Sequence, residues 1–175
     1  MRVGIVRYPG SNCDNDTLRY FKDAFYIWHT ETKLINVDLI IIPGGFAFGD
    51  RVYQKATDNY FFIPGRKAIE SPVTNVILTA HKQNIPIIGI CNGFQILIKL
   101  GLLPGELTIN EENKFNSEIV ECEFISPLKE TTEIPIANKY GKYKITQNEY
   151  EDLEKNNQII CKYKNYNNGS FEKIA

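Results

Sequence analysis

Cys91 is the residue of this chain best placed for covalent chemistry. It lies in the segment Gly89-Ile-Cys91-Asn-Gly93, with one glycine two residues before it and another two residues after it. This Gly-x-Cys-x-Gly spacing is the thiol form of the Gly-x-Ser-x-Gly nucleophile elbow, in which glycines leave room for a tight strand-to-helix turn. The pattern predicts a thiol nucleophile at Cys91. The alternative is a structural cysteine buried between a strand and a helix.

The residues on either side of Cys91 predict the two elements that an elbow joins. Pro86 opens the apolar run Ile87 to Ile90, whose length fits a parallel strand buried on both faces. After the cysteine, apolar residues recur at helical spacing from Phe94 to Leu100. Cys91 is therefore expected at a helix N-terminus, where the helix dipole favours a thiolate over a thiol.

A glycine-rich segment follows another apolar run earlier in the chain. The residues Val37 to Ile42 predict a buried strand, which ends at Pro43-Gly-Gly-Phe46. Consecutive glycines allow backbone N–H groups to turn toward a bound carbonyl, as the developing oxyanion of an acyl-transfer reaction requires. The second donor is expected to be the N–H of Asn92, the residue after the nucleophile. The alternative is a strand-to-helix turn that binds nothing.

A general base for Cys91 is harder to identify. The chain has two histidines. His29 follows an early predicted strand, and His81 lies in an apparent helix, Val76 to Asn84, that leads into the elbow strand from the wrong side. Either imidazole is better explained as a structural or solvent-facing side chain than as a general base. The residues alone therefore complete no Cys–His–carboxylate arrangement.

Predicted strands and helices alternate along the first two-thirds of the chain, with a first helix from about Asp14. This alternation implies an α/β fold, a mostly parallel open sheet flanked by helices. In such a sheet, binding sites form at the carboxyl ends of the strands. We therefore expect the loops Pro9 to Asp14 and Pro43 to Asp50 to meet the elbow. The predicted strands are Val3 to Val6, Phe25 to Trp28, Val37 to Ile42 and Ile87 to Ile90.

The pattern changes after about residue 115. Ser117 to Phe124 alternates between polar and apolar residues, which is typical of an exposed antiparallel strand. Glu149 to Asn157 predicts a short polar helix or turn. No repeat or linker is evident, so residues 1–175 are expected to form a single domain. Further strand candidates are Ile134 to Ala137, Tyr143 to Ile145 and Gln158 to Tyr163.

Composition excludes several classes of function. The formal net charge of -1 and the lack of a Lys/Arg block argue against a nucleic-acid partner. No apolar run reaches membrane-spanning length, which argues against a membrane partner. The four cysteines are scattered without Cys-x-x-Cys pairing, so we expect neither a metal site nor a disulfide framework, and a reducing cytoplasm is indicated.

Four motifs together carry a family resemblance that covers nearly the whole chain. In this order they resemble the glutaminase subunits of phosphoribosylformylglycinamidine synthase, which are class I glutamine amidotransferases of purine biosynthesis. The first two-thirds of the chain resemble that subunit specifically, whereas Gly-x-Cys-x-Gly alone indicates the wider class. The four motifs are Pro9-Gly-Ser-Asn-Cys-Asp14, Trp28-His-Thr-Glu-Thr32, Ile42-Pro-Gly-Gly-Phe46 and Gly89-Ile-Cys-Asn-Gly-Phe-Gln-Ile-Leu97. Gly101-Leu-Leu-Pro-Gly105 and Ile134-Pro-Ile-Ala137 follow them and extend the resemblance into the last third of the chain.

The resemblance implies hydrolysis of L-glutamine to glutamate and ammonia through a glutamyl thioester on Cys91. It places the oxyanion donors at the N–H groups of Gly45 and Asn92. It places substrate contacts at three further residues, and it makes Cys13 a loop residue rather than the nucleophile. The substrate-contacting residues are Gly44, Phe46 and Gln95.

The resemblance also implies partners. Ammonia would pass to an ATP-dependent synthetase subunit, which converts formylglycinamide ribonucleotide to the amidine. A small third subunit is a further candidate partner, whose role in assembly the sequence does not reveal. ATP and Mg²⁺ would be used by the synthetase, so no cofactor is expected on this chain.

The sequence departs from the family near its end. Such subunits carry a His-Pro-Glu motif near the C-terminus, whereas this sequence reaches Ala175 without one. We therefore expect a type-1 glutamine amidotransferase domain truncated at its C-terminus, with little or no glutaminase activity by itself, because a lost base typically costs on the order of 10² to 10⁴ in rate. The alternative is a non-catalytic or decayed module that binds glutamine or docks on the same complex.

Overall fold

The computed structural model describes residues 1–49 and 65–175, so Asp50 and most of the stretch after it lie outside the described residues. The chain divides into two compact units. We call Met1–Leu102 the N-terminal unit and Leu103–Ala175 the C-terminal unit. The single domain over residues 1–175, and its truncation, stay predictions.

The N-terminal unit contains the predicted parallel sheet. Four strands lie in the order β2-β1-β3-β4, and every neighbouring pair is parallel. The α/β fold with a parallel sheet is therefore confirmed. The strands are β1 (Val3–Arg7), β2 (Ala24–Trp28), β3 (Leu39–Ile42) and β4 (Ile87–Gly89).

Helices cover this sheet. The chain moves from β1 to β2 in one direction across the sheet, and from β3 to β4 in the other. With right-handed crossovers, these two directions place α1 and α3 on opposite faces of the sheet. The helices are α1 (Asp14–Tyr20), α2 (Arg66–Ile69), α3 (Val73–Lys82) and α4 (Asn92–Lys99). None of the helices formed by residues 1–49 and 65–175 has the length and apolar character needed to cross a membrane.

The core of this unit is centred on β1 and β3. Both strands are almost wholly buried, with Ile5, Ile40 and Ile42 each 0% exposed. Such strands, buried on both faces, are what a parallel sheet between helices requires. These strands therefore hold the loops at their carboxyl ends in fixed positions.

The elbow strand β4 differs from its prediction. Ile88 is 46% exposed and Ile90 is 49% exposed, so the expectation of a strand buried on both faces is wrong. The physical reason is position, because β4 is an edge strand of this sheet among the described residues. An apolar run indicates that a strand tends to be buried, but it does not indicate which strand of the sheet is the edge strand.

The C-terminal unit is built on antiparallel strands, as the alternating pattern predicted. One sheet has the order β7-β6-β9 and another pairs β5 with β8, all antiparallel. Val120 and Cys122 of β6 are buried together with Tyr163 of β9. The elements are β5 (Glu106–Thr108), β6 (Asn116–Phe124), β7 (Glu130–Asn138), β8 (Lys142–Lys144), α5 (Gln147–Lys155) and β9 (Cys161–Tyr163).

Candidate active site

Two loops interlock at the carboxyl ends of β1 and β3. The backbone N–H groups of Asn12 and Cys13 donate to the carbonyl of Gly44, at 3.3 and 3.1 Å. In return, the N–H of Phe46 donates to the carbonyl of Gly10 at 2.9 Å. Because the chain leaves β1 and β3 toward opposite sides of the sheet, this is the switch point at which open α/β sheets bind ligands. The expected meeting of these two loops is confirmed.

Gly45 shows why this junction needs glycine. Its φ of +147° lies in a region that L side chains rarely adopt, and a Cβ there would lie 2.5 Å from the backbone N of Asn12. A side chain would therefore separate the two loops. The Gly-Gly pair ends β3 and brings the backbone of the second loop against the first.

The elbow at Cys91 has the strained geometry that its sequence predicts. Cys91 is the N-cap of α4, with φ 54° and ψ -106°, a sparsely populated conformation for a residue with a side chain. A Cβ on Gly93 would lie 1.9 Å from the carbonyl oxygen of Ile42. A Cβ on Gly89 would lie 2.7 Å from the carbonyl carbon of Gly93. Both glycines of the motif are therefore required by close approach of backbone.

The two predicted oxyanion donors converge on the Cys91 thiol. The backbone N–H groups of Asn92 and Gly45 both hydrogen bond to the sulfur and act to lower the pKa of Cys91. One N–H opens helix α4 and the other comes from the loop after β3. A carbonyl attacked by this sulfur would have both donors within reach, which is the arrangement an oxyanion hole requires.

Burial decides the direction in which the pKa of Cys91 is shifted. Its side chain keeps access to solvent but is otherwise surrounded by protein, and this desolvation raises the pKa of the thiol. Hydrogen bonds from Asn92 and Gly45 lower it by less, while a nearby Cys13 raises it further. The N–H of Asn92 at the helix N-terminus lowers the pKa of Cys91 in the expected direction, but burial outweighs it and the net shift is upward.

Alkylation of Cys91 by iodoacetamide is therefore expected to depend steeply on pH. Since the thiolate reacts and the pKa of this thiol is raised, the rate should rise about tenfold per pH unit from about pH 7 to about pH 9. The rate at Cys91 is measured by peptide mass spectrometry of the alkylated chain, with free cysteine as the reference thiol. A plateau below about pH 8 would contradict the raised pKa.

The structure does not join either histidine to Cys91. His29 packs edge-on against Phe48 with the ring centroids 5.4 Å apart, and His81 is exposed on α3. Among residues 1–49 and 65–175, the groups that shift the pKa of Cys91 include no imidazole and no carboxylate. The described part of the chain thus brings together the predicted nucleophile and the predicted oxyanion donors, but it places no imidazole or carboxylate that acts on the Cys91 thiol.

A second cysteine lies close to the predicted nucleophile. A Cβ on Gly44 would be 3.4 Å from the Cβ of Cys91 and 3.5 Å from the Sγ of Cys13. Both cysteines are free and exposed. The structure thus places Gly44 beside the reactive position, where a side chain would crowd the thiol. The substrate-contacting roles of Gly44, Phe46 and Gln95 stay predictions.

Sequence reasoning missed the side chain of Asn92, because the elbow pattern implicates only its backbone N–H. Its Oδ1 accepts a buried hydrogen bond from the N–H of Ala47 at 2.9 Å, and its Nδ2 donates to Oε1 of Gln95 at 2.8 Å. Asn92 is 3% exposed. The available signal was a polar residue inside an otherwise apolar strand-elbow-helix segment, since a buried amide needs partners.

An ion pair between the half-exposed Arg7 and the buried Asp14 supports the first loop. Asp14 is 4% exposed, and its Oδ2 lies 2.6 Å from Nε of Arg7. The Arg7 guanidinium also lies over the rings of Tyr26 and Trp28, at 4.6 and 4.9 Å from their centroids. This cluster ties the loop to β1 and β2. Within the described ranges, no group of three or more His, Cys, Asp or Glu side chains is arranged to hold a metal ion.

Two bacterial relatives are similar to this chain over its whole length. A relative from Staphylococcus saprophyticus, named phosphoribosylformylglycinamidine synthase subunit PurQ, is 37% identical over 188 residues, which cover 100% of this chain and 80% of the relative. A relative of the same name from Wolinella succinogenes is 36% identical over 190 residues, covering 100% of this chain and 83% of that protein.

Structure and family comparisons agree with these relatives. A chain in the solved structure of PurLQS from Thermotoga maritima superposes with a TM-score of 0.80 at 33% sequence identity, covering 99% of this chain and 79% of that one. The sequence profile of the CobB/CobQ-like glutamine amidotransferase domain matches residues 1–174. This chain therefore belongs to the CobB/CobQ-like glutamine amidotransferase family.

Proposed function

We propose that this chain is the glutamine amidotransferase subunit of phosphoribosylformylglycinamidine synthase in purine biosynthesis. The single observation that carries the chemistry is the convergence of the N–H groups of Gly45 and Asn92 on the Cys91 thiol. The relatives named as subunit PurQ support the substrate and the pathway. A thiol held against two backbone donors at a strained elbow is suited to acyl transfer from an amide.

The proposed reaction is the hydrolysis of the side-chain amide of L-glutamine. Sγ of Cys91 bonds to the amide carbon, and the carbonyl oxygen becomes an oxyanion held by Gly45 and Asn92. The carbon–nitrogen bond then breaks, and the amide nitrogen leaves as ammonia after taking the thiol proton. Water cleaves the resulting glutamyl thioester, which gives glutamate and regenerates the thiol. Gly44, Phe46 and Gln95 are proposed to contact the substrate.

The proposed partners follow from the named relatives. This chain is similar to one chain in the solved structure of PurLQS. We propose that a synthetase subunit receives the ammonia and uses ATP to convert formylglycinamide ribonucleotide to the amidine, with a small third subunit in the complex. ATP and Mg²⁺ belong to the synthetase in this proposal, and this chain binds no cofactor.

A cytoplasmic location is proposed on the state of the cysteines. All four cysteines, including the neighbouring Cys13 and Cys91, are free thiols. A working thiol nucleophile is preserved in a reducing compartment. Fractionation of the source cells, with antibody detection of the chain, tests this location.

The function is tested by reconstitution with a synthetase subunit and a small third subunit. We expect a stable complex that releases ammonia from glutamine and forms the amidine only when glutamine and ATP are both present. Cys91→Ala is the control for background hydrolysis. A complex that assembles normally but shows no glutamine-dependent turnover would contradict the proposed enzymatic activity. It would favour the alternative, a non-catalytic module that docks on the same complex. That alternative is supported by the described residues, in which no imidazole acts on Cys91.

A further inference from the structure

Cys13 and Cys91 adjoin the same small space beside Gly44. A Cβ added to Gly44 would lie 3.4 Å from the Cβ of Cys91 and 3.5 Å from the Sγ of Cys13, which is van der Waals contact on both sides. Because residue 44 is glycine, it has no side chain to fill this space. Both cysteines are exposed and free, so a small solute in water reaches either thiol.

The backbone fixes both cysteines beside this space. Cys13 donates its N–H to the carbonyl of Gly44 at 3.1 Å, which ties the first loop to the second next to the Cys13 thiol. Cys91 is held by the elbow, as the N-cap of α4. The two sulfurs also interact electrostatically, since charge on Cys13 raises the pKa of Cys91.

The space beside Gly44 is small enough for the two sulfurs to meet. A disulfide places its sulfurs about 2.0 Å apart and its Cβ atoms about 3.5–4.5 Å apart. The Cβ of Cys91 and the Sγ of Cys13 both contact one methyl-sized volume. The sulfur of Cys91, when its side chain turns into that volume, therefore comes against the sulfur of Cys13.

We propose that Cys13 is a resolving cysteine, which captures oxidised Cys91 in an intramolecular disulfide and so turns the nucleophile off reversibly. The oxidant is a hydroperoxide, such as hydrogen peroxide. This inference rests on the proposed function, because the disulfide acts by removing the thiol that attacks glutamine. A sulfenic acid with no neighbouring thiol is oxidised further to a sulfinic acid, which is irreversible, so the disulfide also preserves Cys91.

The first step is the oxidation of Cys91. Its thiolate sulfur attacks one oxygen of hydrogen peroxide, so that a sulfur–oxygen bond forms, the oxygen–oxygen bond breaks and hydroxide leaves. The product is a sulfenic acid on Cys91. The N–H groups of Asn92 and Gly45 already hydrogen bond to this sulfur, so they lie beside the new oxygen and stabilise it as they would an oxyanion.

The second step joins the two cysteines. The Cys13 thiolate attacks the sulfur of the sulfenic acid, a sulfur–sulfur bond forms, and the sulfur–oxygen bond breaks as a second hydroxide leaves. The protons released by the two thiols convert both hydroxides to water. Over the two steps, the thiols lose two electrons and one peroxide is reduced to two molecules of water. A dithiol such as dithiothreitol restores both thiols by thiol–disulfide exchange.

The test uses the full chain and hydrogen peroxide at about pH 8.5, where more of the Cys91 thiol is ionised. After catalase removes the peroxide, one sample is digested without reduction and searched for a peptide that links Cys13 to Cys91. A second sample is reduced with dithiothreitol, and the fraction of Cys91 that iodoacetamide then alkylates is measured by peptide mass spectrometry. Neither measurement requires turnover.

We expect the wild-type chain to form the linked peptide in a yield that does not depend on protein concentration, and dithiothreitol to recover most of the Cys91 thiol. In Cys13→Ser no thiol captures the sulfenic acid, so the recovered fraction should fall at least about fivefold. The matched control is Cys161→Ser, the same change at a half-buried cysteine of the C-terminal unit. It removes the other pair of neighbouring thiols, Cys122 and Cys161, and should recover like the wild type.

A wild-type chain that forms no peptide linking Cys13 to Cys91, or forms it in a yield that rises with protein concentration, would overturn the inference. Recovery in Cys13→Ser within about twofold of wild type would overturn it as well.

The effect on function is measured in the reconstituted complex. Ammonia release from glutamine should be lost as the disulfide forms and should return with dithiothreitol, and full activity of the linked chain would overturn the inference. A reduced complex that releases no ammonia, although the disulfide forms in the free chain, would confirm the thiol chemistry and overturn the proposed function instead.

Discussion

Gly93→Ala is expected to lower the free energy of unfolding of the N-terminal unit by about 4 kcal/mol or more, which is exceptional for the addition of one methyl group. The added Cβ would lie 1.9 Å from the carbonyl oxygen of Ile42. That oxygen accepts from the N–H of Ile90 at 3.0 Å and ends the fully buried strand β3. Neither backbone segment can move away without breaking the hydrogen bond between Ile90 and Ile42. The expected loss is large, because the free energy of unfolding of a small domain is only about 5–15 kcal/mol in total.

The change is measured by urea denaturation, with fluorescence from Trp28. This is the single tryptophan of the chain and lies on β2 of the same unit, so it reports the unit that carries the elbow. The control is Gly101→Ala, where an added Cβ meets nothing within 4 Å although φ is +70°. Its free energy of unfolding should fall by only about 1–2 kcal/mol, the cost of placing alanine in a left-handed conformation. Equal losses in the two variants would show that the steric clash at Gly93 is relieved.

The elements that carry the site could be predicted from local sequence because their patterns are local. The strand predicted over Val37 to Ile42 is confirmed at Leu39–Ile42, and the strand predicted over Ser117 to Phe124 is confirmed at Asn116–Phe124. The elbow was also predictable, since the Gly-x-Cys-x-Gly spacing reflects steric limits on neighbouring backbone units.

The remaining features depend on residues far apart in the chain. β5 (Glu106–Thr108) was not predicted because three residues that pair mainly through backbone leave little side-chain pattern. The exposure of Ile88 follows from its place at a sheet edge, which the strand itself does not encode. The raised pKa of Cys91 depends on how much protein surrounds its thiol, and the hydrogen bond from Ala47 to the side chain of Asn92 joins residues 45 positions apart.

The kinds of groups in the candidate site could therefore be predicted from the sequence, but the charge state of its thiol could not. Residue types, their spacing and the family resemblance indicated a thiol nucleophile, two backbone N–H donors and a side-chain amide, that of Gln95, that contacts the substrate. The loops that carry the thiol and the donors do meet in the structure. Whether the thiol is charged depends on competing desolvation and hydrogen bonding, and these have opposite signs at Cys91. No local pattern could weigh them.

Cys91→Ser is expected to reduce ammonia release from glutamine in the reconstituted complex by about 10⁴-fold or more, the scale of removing a catalytic nucleophile. A serine hydroxyl fits the elbow but is a far weaker nucleophile without a matched base. The contrasting variant is Cys13→Ser, because both cysteines are exposed and flank the same backbone position at Gly44. Cys13 donates its backbone N–H to the carbonyl of Gly44, a contact that serine preserves.

We therefore expect Cys13→Ser to change the rate by less than about tenfold, while glutamine still protects Cys91 from alkylation in that variant. The two rates are measured under the same glutamine and ATP concentrations, with amidine formation as a second readout. A large loss in Cys13→Ser together with activity in Cys91→Ser would exchange the roles of the two thiols. The elbow geometry argues against that exchange, because the N–H groups of Gly45 and Asn92 converge on the sulfur of Cys91.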